Sequence, residues 1–86
     1  MRVISQDGRT DIPYENFVFG ITKDNSIVAI RDTIARPSEI AHGVVATYST
    51  EEKAKKAMEM LREEYRKYAS QNYMKVFQFP AEEELE

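Results

Sequence analysis

The chain contains no cysteine and no tryptophan, and only one histidine, three glycines and three prolines among 86 residues. Without cysteine there is no disulfide framework, no thiolate zinc site and no cysteine nucleophile. A single histidine cannot build a multi-histidine metal centre. No apolar run approaches the roughly 20 residues that span a bilayer. The first residues lack the apolar stretch of a signal peptide. The expectation is a cytoplasmic protein without membrane contact. Glycines at 8, 20 and 43 are too scattered to form a phosphate-cradling loop, and no G-x-S-x-G elbow occurs. Excess positive charge is also lacking, since the formal net charge is −3. A nucleic-acid groove needs net positive charge, so DNA and RNA are not the expected partners.

What is present is the composition of one small globular domain: 42% hydrophobic and 31% charged residues. A chain this short buries only about 60% of the surface that its unfolded form exposes, so its core is thin. Glu82, Glu83, Glu84 and Glu86 concentrate acid at the C-terminus. The rest carries 11 acidic and 12 basic residues, formally +1. The reading is a single domain over 1–80 followed by an acidic tail over 81–86. Such a tail is expected to be solvated, with docking to a basic partner as the alternative.

Turn chemistry and hydrophobic period place the elements. Residues 2–5 and 10–12 flank Asp7-Gly8, which suits a tight turn with positive φ, and Pro13 ends the second strand. Residues 16–22 and 27–31 form a second hairpin around the polar turn 23–26. A loop over 32–42 follows, then a strand over 44–48. Ser49-Thr50-Glu51-Glu52 reads as a capping box with Ser49 as N-cap and Glu52 reaching back. A helix is expected over about 50–70. Ala54, Ala57, Met58, Leu61, Tyr65 and Tyr68 form its apolar stripe, and Glu51–Lys55, Glu52–Lys56 and Glu63–Lys67 pair at i,i+4. A last strand is expected over 73–79, before Pro80. The fold class is α+β: an antiparallel sheet of two hairpins plus further strands, with one long amphipathic helix on one face.

One pattern conflicts with a simple monomer. Phe17, Phe19 and Ile21 oppose Val18 across the pleat, and Ile27 and Ala29 oppose Val28 and Ile30. Strands solvated on one side alternate apolar with polar. A lone helix covers one face, so the other face is expected to bury against further copies of the chain. The alternative cover is the loop 32–42.

No catalytic motif appears, and the protein is expected to be non-enzymatic, with no cofactor and no metal. Asp7, Asp11 and Glu15 recur every fourth residue, but on turns that spacing converges on nothing. His42 alone has an ordinary pKa near neutrality, and it reads either as a ligand contact or as an exposed loop side chain. Arg31 and Arg36 flank the long loop. Guanidinium forks suit phosphate and aromatic rings suit bases. Arg31, Arg36, His42 and Tyr14 are therefore the candidate ligand contacts for a small nucleotide.

Three stretches are familiar together. The first is Met1-Arg2-Val3-Ile4-Ser5-Gln6-Asp7-Gly8 with Asp11-Ile12-Pro13-Tyr14-Glu15. The second is Tyr48-Ser49-Thr50-Glu51-Glu52-Lys53-Ala54 running on to Lys56-Ala57-Met58-Glu59-Met60-Leu61-Arg62. The third is Phe77-Gln78-Phe79-Pro80 with Glu82-Glu83-Glu84-Leu85-Glu86. The chain thereby resembles a family of small phage and prophage proteins of low-GC Gram-positive bacteria. Residues 17–43 match that family only as a strand hairpin, and the long insertion that precedes the last strand in some members is missing. The resemblance brings no activity, so no functional residue is carried over. It implies a phage accessory role, such as a homo-oligomeric anti-defence sponge that traps a nucleotide-type immune signal without cleaving it. The other class is an interaction module that inhibits or redirects a host protein.

Overall fold

Local turn chemistry starts each hairpin. In the computed structural model, which describes residues 1–31, 42–71 and 75–85 (His42, Ser70 and Gln71 by backbone alone), β1 (Arg2–Ile4) pairs antiparallel with β2 (Asp11–Pro13). Gly8 takes φ 77 and donates its N–H to the Ser5 carbonyl at 2.9 Å. A side chain would be strained at that φ, which explains glycine there. The Asp7 carboxylate accepts from the Ser5 hydroxyl at 2.6 Å and the Arg9 N–H at 3.0 Å. Pro13 sits on the edge strand β2, where a missing N–H breaks no ladder.

A 3-10 turn (Tyr14–Asn16) leads into β3 (Phe17–Ile21), which pairs antiparallel with β4 (Ser26–Arg31). Asn25 supplies the left-handed turn residue, φ 65, as asparagine can. β5 (His42–Thr47) adds antiparallel to β4, with a bulge where Ile27 opposes Ala46 but Val28 opposes Val44. Val45 is the extra residue. The bulge breaks the alternation, so consecutive Val45 and Ala46 are both buried.

The helix α1 (Glu51–Gln71) lies as its period requires. Ala54, Ala57 and Leu61 are buried, and Met58, Tyr65 and Tyr68 pack partly buried against the core. Of the i,i+4 pairs, Glu51–Lys55 forms at 3.6 Å, whereas Glu63 pairs with Arg66 one residue earlier than expected. The chain then returns in β6 (Val76–Gln78), shorter than the expected 73–79; residues 73 and 74 lie outside the described residues.

The α+β class holds, but the strands divide into two three-stranded sheets, β2-β1-β6 and β3-β4-β5. β6 pairs parallel to β1, Val3 opposite Phe77, so the sheets are not all antiparallel. Strand partner and direction depend on where α1, about 30 Å long, delivers the chain. The core closes around Val3, Ile27, Leu61 and Phe79, with Phe77 edge-on to Phe79 at 5.3 Å.

Two expectations are corrected. The N-cap is Thr50, not Ser49: the Thr50 Oγ1 accepts the Lys53 N–H at 3.2 Å. Ser49 instead donates its N–H to Glu82 Oε1 at 2.6 Å, so a distant carboxylate takes the part expected of Glu52. The second correction is the acidic end. Glu82–Leu85 form a 3-10 turn rather than a solvated tail, because Leu85 is 5% exposed against the core. Glu86 lies outside the described residues.

Candidate functional site

The outer face of β3-β4-β5 is the first candidate surface. Register sets Val18 opposite Ile30 and Val28 opposite Val44, while Ile30 and Val28 are two residues apart on β4. Alternation places these four on the face away from Phe17, Phe19 and Ala29. They form one diagonal apolar stripe without a charged member. Val18 is 55% exposed, Ile30 38% and Val44 58%. The alternative cover, residues 32–41, lies outside the described residues.

Of the four expected ligand contacts, the described residues include the side chains of Arg31 and Tyr14 only. Arg31 ends β4, exposed, cross-strand from Phe17 on the inner side of the sheet. Arg36 lies outside the described residues, as does the His42 side chain; the His42 backbone opens β5 opposite Ile30. Tyr14 is held elsewhere, in an aromatic ladder. Its ring stacks on Tyr65 of α1 at 4.2 Å and on Phe19 of β3 at 5.6 Å, and Tyr65 meets Tyr68 at 5.8 Å.

Two concavities adjoin these residues. An apolar pocket of about 220 Å³ lies between Ile12, Phe17, Ala29 and the Gly43–Val45 segment, with Arg31 two residues along from Ala29. A larger groove of about 500 Å³ runs between the first 3-10 turn, β3 and α1. Tyr14, Phe17, Phe19, Met58, Arg62 and Tyr65 line it. Arg62 has no ion-pair partner among the described residues, and neither the Tyr14 nor the Tyr65 hydroxyl makes a hydrogen bond there. The helical period puts Tyr65 in the apolar stripe of α1 and leaves Arg62 outside it. The available signal was tyrosine, with its polar tip, in place of an aliphatic residue at the end of the stripe.

Two perturbed groups, Tyr48 and Glu82, lie at a structural junction. Gln6 donates its N–H to the Val45 carbonyl at 2.7 Å, accepts the Thr47 N–H at 3.0 Å through Oε1, and donates through Nε2 to the Pro80 carbonyl at 3.2 Å. The Tyr48 hydroxyl donates to that same carbonyl at 2.8 Å. Burial, with the nearby Glu84 and Glu82 carboxylates, pushes the Tyr48 phenol up to about 12. Hydrogen bonds from Ser49, with Lys53 at 3.6 Å, hold the Glu82 carboxyl below its usual range. Glu15 is lowered likewise by the Met1 amino group, 2.9 Å away. These groups are satisfied by protein partners, as structural groups are. Among the described residues no helix is long and apolar enough to cross a membrane, and no three acidic or histidine side chains gather as a metal site. No family model, curated protein or solved structure matches this chain.

Proposed function

We propose that the protein is a non-enzymatic binding factor that assembles with further copies of itself through the outer face of β3-β4-β5. In the phage or prophage setting that the sequence resembles, it works in the bacterial cytoplasm and sequesters a nucleotide-type immune signal. The stripe of exposed Val18, Ile30 and Val44, with half-buried Val28 among them, carries this reading. Contiguous apolar surface of this kind on a small domain marks an interaction site. The stripe is uncharged and apolar, so a second copy of the same face complements it as sheets do in a sandwich. Capture without cleavage needs no nucleophile or general base, only surfaces that hold the ligand.

Light scattering at micromolar concentration should give a mass well above the 10.0 kDa of one chain. Heat denaturation of the purified protein should release a compound absorbing in the nucleotide band, easily seen because the chain has no tryptophan. A monomer that releases nothing, and gives no heat in calorimetry with cyclic and ADP-ribose-type nucleotides, overturns the reading. The same face supports a second reading, a module that inhibits or redirects a host protein. That reading predicts a monomer in isolation.

A further inference from the structure

We propose that the groove between the first 3-10 turn, β3 and α1 is the ligand site, and that it takes a planar aromatic ring carrying phosphate. This rests on the reading that the protein sequesters a nucleotide, and it moves the site away from residues 31–42. The Phe19–Tyr14–Tyr65 ladder is already assembled, with interplanar angles of 18° and 23°. The three rings line the groove half-buried, so a base that packs against the parts they leave open meets side chains that lose little further freedom, and such preorganisation strengthens binding. Met58 adds a polarisable apolar wall.

Charge in the groove favours an anion. Arg62 is exposed and has no ion-pair partner among the described residues, and a guanidinium matches phosphate with two parallel hydrogen bonds. Glu15, the one carboxylate lining the groove, is already engaged by the Met1 ammonium at 2.9 Å. Unbonded Tyr14 and Tyr65 hydroxyls supply further donors. At about 500 Å³ the groove falls within the ~300–1,000 Å³ of small-molecule sites, whereas the inter-sheet pocket of about 220 Å³ does not.

The test is calorimetry on the full chain with ADP-ribose and cyclic dinucleotides as probes, read in parallel by tyrosine fluorescence. The five tyrosines are free of tryptophan background. A bound base should quench the signal. Arg62→Ala should weaken binding about tenfold or more, and Tyr65→Leu by roughly five- to 150-fold, while Tyr65→Phe keeps the stack and most of the affinity. Arg62 is exposed, so its variant remains informative if Tyr65→Leu fails to fold. Binding that survives Arg62→Ala and Tyr65→Leu but is lost in Arg31→Ala overturns this site and leaves sequestration standing. No heat with any probe in the unaltered protein removes sequestration itself, and the site with it.

Discussion

Thr50 and Glu82 show how one atom's position decides a residue's role. Ser49 and Thr50 both have the chemistry of an N-cap, but only the Thr50 hydroxyl meets a free N–H of the first helical turn. Thr50→Ala should therefore lower stability by about 0.5–2 kcal/mol, the range for lost caps. Ser49→Ala should lower the denaturant midpoint less than Thr50→Ala, because alanine keeps the Ser49 backbone N–H on Glu82 and loses only the exposed hydroxyl's contact with that carboxylate. The Glu82 carboxyl titrates below its unfolded value because its charged form accepts hydrogen bonds from Ser49. A depressed carboxyl stabilises the fold above the unfolded pKa, about 4.3, and loses that contribution as pH falls through the lower folded value. Glu82→Gln should thus be less stable than the parent near neutrality, with the gap narrowing in acid. Urea midpoints across that range check it; a gap independent of pH would mean that shape, not charge, matters at this position.

At the scale of elements, the C-terminal 3-10 turn is the unexpected part. Three glutamates conceal one leucine, and that leucine is buried. Removing a buried leucine side chain costs about 2–5 kcal/mol, so Leu85→Ala should lower the unfolding midpoint clearly. Deleting the chain after Pro80 should cost more, since it also removes the Glu82 contacts to Ser49 and Lys53. Midpoints unchanged by both alterations would return this segment to a solvated tail. The helix was legible because its period extends over six apolar positions, and both hairpins were legible from Asp7-Gly8 and the polar turn 23–26. The Glu82–Leu85 turn was not, because a single apolar residue in an acidic run has no period to read.

For the whole molecule, the decisive feature is a sheet with two apolar faces and one helix. The inner face packs into the core and the outer one remains bare among the described residues. If copies pair through the outer stripe as proposed, Val44→Lys, at its β5 end, should give a monomer, as followed by scattering, without unfolding the chain. High salt should leave the assembly of the unaltered protein intact, because the stripe has no charge to screen. Dissociation by salt with tolerance of Val44→Lys would instead indicate an ionic interface elsewhere.

The sequence by itself determined the α+β class, both hairpins, the apolar stripe of α1 and the two-sided hydrophobicity of β3 and β4. All of these follow from local φ preference and short periods, which act between near neighbours. Only the tertiary structure decided that β6 runs parallel to β1, that the strands split into two sheets, and that Gln6 joins them at Pro80. It alone showed Tyr14 stacked against a helix residue some fifty positions away and Arg31 apart from that ladder. Such pairings depend on long-range packing, in which each partner is chosen by the shape and free hydrogen-bonding groups that remain once the local elements have formed.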